Sequence, residues 1–140
     1  MKRTLSILVL LSAFGCGDGE ENNTPTVPVD DPFEPSAAVL LREGTMVGSG
    51  HTVSGTVKVY DDGGQKIVVF DPFTSQNGPD LKVYLSTDEI ASEYLNLGAL
   101  KSTTGKQTYL VTGMPDFDEY KFVLIWCEQF SVLFGVAKLE

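Results

Sequence analysis

Cys127 and His51 are the two side chains in this sequence with the widest chemical repertoire. Cys127 closes the run Phe122-Val123-Leu124-Ile125-Trp126-Cys127, and His51 is the single histidine, in Gly48-Ser49-Gly50-His51-Thr52. A thiolate is a nucleophile, a redox group and a soft metal ligand. Joined by Met46 or Met114, the pair has the donor types of a soft metal site of the blue-copper kind, which ordinarily takes two histidines. Haem would need an axial ligand and an apolar pocket, and no Cys-x-x-Cys-His run is present to attach one. The metal, if any, is unknown at this level. His51 alone reads as a surface-loop residue.

Strand parity bears on Cys127. Val123, Ile125 and Cys127 face one way, and Phe122, Leu124 and Trp126 the other. Both sets are apolar, so the strand is expected to be buried on both faces, where a thiol behaves as a small hydrophobe and stays unreactive. The strand also ends at Cys127, and Glu128-Gln129 follow as a turn, which would bring the sulfur toward solvent. The sequence leaves both readings open. Trp126 is a further candidate binding residue, although a tryptophan in such a strand more often anchors a core.

The other cysteine, Cys16, belongs to a different segment. Lys2 and Arg3 precede the apolar run Thr4 to Ser12, and Ala13-Phe14-Gly15 leads into Cys16. The run is too short to span a bilayer, which takes about 20 residues, and reads as a removable signal over residues 1–15. Small residues before a cysteine mark the processing site of bacterial lipoproteins. Cys16 is therefore the expected lipidation site, carrying two or three acyl chains and giving stable membrane anchoring. Losing Lys2 and Arg3 takes the formal charge from −9 to −11. Gly17-Asp18-Gly19-Glu20-Glu21 resembles the surface-export signal of Bacteroidota lipoproteins, which implies the outer face of the outer membrane, with the periplasmic face as the alternative.

Residues 16–38 are expected to form a disordered acidic, proline-rich tether with Pro25, Pro28, Pro32 and Pro35. Residues 39–140 are expected to fold as one domain. Strands are predicted from Gly44 to Val47, Gly55 to Tyr60, Gln65 to Phe70, Leu81 to Ser86, Lys106 to Val111, Lys121 to Cys127 and Phe130 to Leu139. Asp61-Asp62-Gly63-Gly64 is a hairpin turn. Thr87 to Leu97 is the one plausible helical turn, with Ile90, Tyr94 and Leu97 at helical spacing. Tyr120, just before the most apolar strand, has the placement of a tyrosine corner. The expected class is all-β: one antiparallel sandwich or barrel-like domain of seven to eight strands.

Four runs together carry a family resemblance. They are Gly55-Thr56-Val57-Lys58-Val59, Asn77-Gly78-Pro79-Asp80-Leu81-Lys82-Val83-Tyr84-Leu85, Leu97-Gly98-Ala99-Leu100-Lys101, and Ile125-Trp126-Cys127-Glu128-Gln129-Phe130-Ser131-Val132-Leu133-Phe134-Gly135. In order and spacing they are similar to the DM13 domain over roughly residues 40–139. The resemblance implies a small β-rich module with a redox or electron-transfer role. It maps the family's characteristic cysteine onto Cys127 and its Gly-Pro-Asp-Leu run onto Gly78–Leu81. A haem or metal cofactor enters only by that association, and the electron partner would be a separate molecule.

No Gly-x-Ser-x-Gly, P-loop or dinucleotide run occurs, so a hydrolase is the least supported class. The turn aspartates are explained by local hydrogen bonding, and Asp80, in the Gly78–Leu81 run, also stands with His51 and Trp126 as a candidate binding residue. The acidic balance argues against nucleic acid as a partner. The alternative to electron transfer is a binding module for a glycan or protein. Its candidate contact residues are Phe73, Tyr94, Tyr109 and Phe117, with Cys127 a buried structural thiol.

Overall fold

In a computed structural model of the protein, residues 23–140 are described. The expected signal, Cys16 and the start of the tether lie outside them. The described chain forms β1 (Val29–Asp30), β2 (Val39–Gly48), β3 (Val53–Asp62), β4 (Gln65–Ser75), β5 (Leu81–Ser86), β6 (Tyr94–Ala99), β7 (Gly105–Leu110), β8 (Phe122–Cys127) and β9 (Val132–Lys138). A single 3-10 turn covers Pro35–Ala37. All nine strands belong to one sheet, ordered β1-β7-β4-β3-β2-β9-β8-β5-β6. Every pairing is antiparallel except that of β1 with β7.

The all-β expectation holds, and of the sandwich and barrel-like alternatives the second is nearer, with nine strands where seven or eight were expected. The nine strands curl into a half-barrel whose inner face is its own partner. Alternate residues point inward, and Val57, Val59, Val68, Phe70, Val83, Leu85, Val123 and Ile125 meet in one buried cluster. The β3–β4 hairpin turns on Gly63 and Gly64, whose φ values of +61° and +94° suit glycine at a two-residue turn. The Gly64 N–H donates to Asp61 Oδ1 at 2.7 Å, and Lys66 Nζ reaches Asp61 Oδ2 at 2.9 Å.

Two local expectations are corrected. The Thr87–Leu97 segment is not helical: a turn leads into β6, which pairs with β5. Asp88 Oδ1 accepts from the N–H groups of Ile90 and Ser92, and this Asx arrangement competes with a helix start. Tyr120 forms no tyrosine corner. Its hydroxyl donates to Glu93 Oε1 at 3.0 Å instead of to nearby backbone.

The expected tether is also shorter than its composition suggested, because residues 23–38 strap the domain. Thr24 and Asn77 exchange two hydrogen bonds, Thr24 N–H to Asn77 Oδ1 at 3.1 Å and Asn77 Nδ2 to the Thr24 carbonyl at 2.9 Å. β1 then lies along the edge of β7, and Asp31 accepts from Lys101 Nζ at 2.6 Å and from the Thr108 N–H at 2.9 Å. Phe33 packs against Tyr60, ring centroids 5.0 Å apart, in a second small cluster with Ile67 and Val69. Backbone pairing on a sheet edge needs little hydrophobicity, so a polar, proline-rich segment can dock.

Two measurements test the strap. Phe33→Ala should lower unfolding free energy by roughly 2–4 kcal/mol. A free tether would shift it by no more than about 0.5 kcal/mol. Burial alone would raise the Asp31 pKa, but the Lys101 ammonium and the Thr108 donors outweigh it and hold the carboxyl below its ordinary 3.8. A lowered folded value stabilises above the unfolded value and is lost as pH falls through the folded one. Asp31→Asn should therefore destabilise at about pH 7 and lose its effect by about pH 2. Denaturation curves showing the same deficit at both pH values would contradict this.

Candidate functional site

Cys127 ends β8 pointing into the half-barrel, 0% exposed, as the inward parity of Val123 and Ile125 requires. It is the one free cysteine among the described residues. Its backbone pairs with Leu81 of β5 and Val132 of β9. The thiol donates to the Pro79 carbonyl, with the sulfur 3.0 Å from the oxygen. The loop before β5 therefore closes over the sulfur, and the end of β8 does not bring it to solvent. Asp80 takes φ +55° in the same loop, and its carbonyl accepts the Glu128 N–H at 3.1 Å.

The loop is held in place from three sides. Asn77 Oδ1 accepts the Gly78 N–H at 2.8 Å while the same side chain clamps Thr24. The Phe134 ring of β9 packs on Gly78, where an added Cβ would stand 2.5 Å from Cζ. The His51 ring lies flat on Phe134, centroids 3.6 Å apart and planes 10° apart. A carbonyl only accepts, so the 3.1 Å contact from His51 Nδ1 to the Ser49 oxygen places the ring proton on Nδ1.

His51 and Cys127 thus border the same loop region, but the link between them runs through the Phe134 ring and the Gly78–Pro79 backbone. Met46 is buried in the core, and Met114 is 95% exposed beyond β7. Cys127 and His51 are therefore not gathered with either Met46 or Met114 into a soft metal site. Among the described residues, no group of three or more His, Cys, Asp or Glu side chains is placed to hold a metal ion. Asp80 bonds outward to Lys82 Nζ at 2.9 Å, not to its own loop backbone.

Trp126 is not a core anchor. It stands half-buried on the outer face of β8 in a row with Tyr84 of β5 and Tyr94 of β6. The Tyr84 ring is 4.1 Å from Tyr94, nearly parallel, and 6.1 Å from Trp126. The Tyr84 hydroxyl donates to Glu128 Oε1 at 2.6 Å, and Asn96 Nδ2 reaches the same oxygen at 3.2 Å. Burial, followed by the hydrogen bond to the Glu128 carboxylate, pushes the Tyr84 phenol well above the ordinary tyrosine value of 10. Of the aromatic residues expected in binding loops, Phe73, Tyr109 and Phe117 are buried, and only Tyr94 is exposed, at 44%. Tyr109 donates inward to Gln107 Oε1 at 2.6 Å.

Sequence reasoning missed Tyr84 and Glu128. Parity puts Tyr84 on the face opposite Leu81, Val83 and Leu85, which was a usable signal. That β5 and β8 are neighbours, with Lys82 opposite Trp126, was not readable before the register was known.

Two recesses mark the surface. A groove of about 780 Å³ runs along the outside of β2 and β9, bordered by Glu43, Glu89, Glu140 and Lys138. A recess of about 290 Å³ lies where Asn23–Pro25 cross Asp80 and Leu81. Neither is lined by Cys127 or His51.

A one-sheet half-barrel with an enclosed thiol under a Gly-Pro-Asp turn is the frame on which comparison with known families can be placed. The family model described as electron transfer DM13 matches residues 45–139. The chain belongs to the DM13 family. No curated protein and no solved structure matches it.

The enclosure predicts the reactivity of the thiol. In the folded protein, Cys127 should resist a water-soluble disulfide reagent and should titrate fully once the chain is unfolded in denaturant. Rapid labelling under native conditions would show that the Pro79 loop opens readily.

Proposed function

We propose that the protein is an electron-transfer module of the cell envelope, anchored through lipid on Cys16, with Cys127 as the side chain whose redox state changes. The family match supports the class. The observation that carries the role of Cys127 is its enclosed thiol, bonded to Pro79 inside the matched segment. Electron exchange requires no atom contact with the partner, whereas nucleophilic attack and oxygen-atom transfer do. Enclosure therefore suits the first chemistry and protects sulfur from the oxidation ladder of exposed thiols. In this reading an external one-electron acceptor takes an electron from Cys127. The thiol proton is taken by water admitted when the Pro79 loop opens, and a sulfur-centred radical remains until a donor returns the electron and water the proton.

The envelope address rests on the leader and the Gly15-Cys16 junction. With the strap beginning at Asn23, residues 17–22 are what separates Cys16 from the domain. A span from Cys16 to Asn23 reaches at most about 25 Å when fully extended. The domain would then sit close to its membrane, on the outer surface in the favoured reading.

The same enclosure favours a second reading, in which Cys127 is a structural thiol and the module binds a glycan or a protein through the exposed side of Tyr94 and its neighbours. One experiment separates the two. Purified wild type and Cys127→Ala are mixed with a small-molecule one-electron acceptor, and electron exchange is followed by stopped-flow absorbance. The electron-transfer reading expects a phase of exchange in the wild type that the variant lacks. Equal behaviour in two folded proteins would leave the binding reading.

A further inference from the structure

We infer that Tyr84 and Glu128 form a second oxidisable site, in which Tyr84 loses an electron while its phenolic proton passes to the Glu128 carboxylate. The proposal rests on the electron-transfer reading of the module and is independent of Cys127. Cys127 faces the inside of the sheet, and this site faces the outside.

Four observations carry it. Tyr84 as a whole residue is only 2% exposed, so a radical on its ring is shielded from coupling with a second radical. Its hydroxyl already points at a carboxylate oxygen at 2.6 Å, the short distance of a charge-assisted bond. Oxidation of a phenol makes it strongly acidic, so an acceptor in place lets the electron and the proton leave together. The acceptor is itself held, because Asn96 Nδ2 bonds the same Oε1. Finally, Tyr84 stacks on Tyr94, which is exposed, and neighbours Trp126, so the buried ring has an aromatic route to the surface.

The balance is simple. Tyr84–OH gives one electron to an oxygen-centred radical, or to another one-electron oxidant of that strength, approaching at Tyr94 or Trp126. The proton moves to Glu128 Oε1, leaving a neutral tyrosyl radical beside a neutral carboxyl group. A one-electron donor reverses both steps. The other titratable group acting on the phenol is the Tyr94 hydroxyl, and the Lys82 ammonium, paired with Asp80, acts on Glu128. No other described tyrosine combines burial with a carboxylate partner. Tyr109 is buried but donates to an amide, and Tyr120 bonds Glu93 at a more open position.

The test uses photogenerated tris(bipyridine)ruthenium(III) as oxidant, with electron paramagnetic resonance and transient absorbance as readouts. Wild type should give a long-lived tyrosyl radical, and Tyr84→Phe should lose it. Tyr109→Phe and Cys127→Ala should keep it. Glu128→Gln preserves the fold's hydrogen-bonding shape but cannot take the proton. It should slow radical formation about 100-fold and make the rate depend on the concentration of buffer base. A Tyr84→Phe protein with the wild-type signal, or a Glu128→Gln protein with the wild-type rate, would overturn the proposal. Persistence of the radical in Cys127→Ala separates this site from the thiol. If Cys127→Ala abolishes the radical, Tyr84 is only an outlet for sulfur oxidation and the independent site is refuted.

Discussion

A single sheet that must bury its own inner face constrains everything else in this protein. Most domains set one layer against another. Here one nine-stranded sheet supplies the whole barrel core, so its curvature has to be tight and its inward residues must fill the interior completely. Gly135 shows how tight. On β9 it passes the start of β3 so closely that a Cβ would stand 2.9 Å from Val53 side-chain carbons. A curled sheet also leaves two edges. The β7 edge is covered by the strap, and the β6 end is tied down where the Leu100 N–H donates to the Leu81 carbonyl at 2.9 Å.

Much of this was legible in the sequence. Leu81, Val83 and Leu85 alternate cleanly, and β5 covers the segment that alternation marks. Asp62-Gly63-Gly64 turns as its residues require. β2 and β4 run longer than expected because both pair with β3 along their length, and that pairing carries a strand through Val39–Glu43 and Asp71–Ser75, where alternation is broken. The segment before β6 misled because Ile90, Tyr94 and Leu97 fit a helix. Tyr94 through Leu97 also fits a period of two, and the hydrogen bonds of Asp88 decide between them. The strap was invisible for a different reason. Its attachments are backbone pairings and single side chains such as Asp31 and Phe33, which leave no periodic trace.

The site divides the same way. Parity put Cys127 on one face with Val123 and Ile125 and Trp126 on the other, but with both sets apolar it did not say which face was the core; the curl of the sheet decides that. What closes over the sulfur was not legible either, since Pro79 lies 48 positions away in sequence. The likeness of the Gly78–Leu81 run to its family's pattern drew notice to that loop without saying what it touches. The structure supplies a reason for the glycine, on which Phe134 rests, and for the carbonyl of the proline, which receives the thiol. His51 earns its place by packing: its imidazole covers the outer side of the Phe134 ring.

The clamp between Thr24 and Asn77 has a mechanical side. The described chain enters the domain at Asn23, which bridges Pro79, and at Thr24, which the Asn77 amide grips by both backbone groups. Tension applied to the preceding segment would be delivered first to this loop, at Asn77 and at Pro79, whose carbonyl covers the sulfur. A pull strong enough to peel Thr24 away would loosen the lid over Cys127 before it disturbed β8, whose two sides are zipped to β5 and β9. The access of the thiol is therefore coupled to force on the N-terminal segment, with the Asn77 side chain as the first latch.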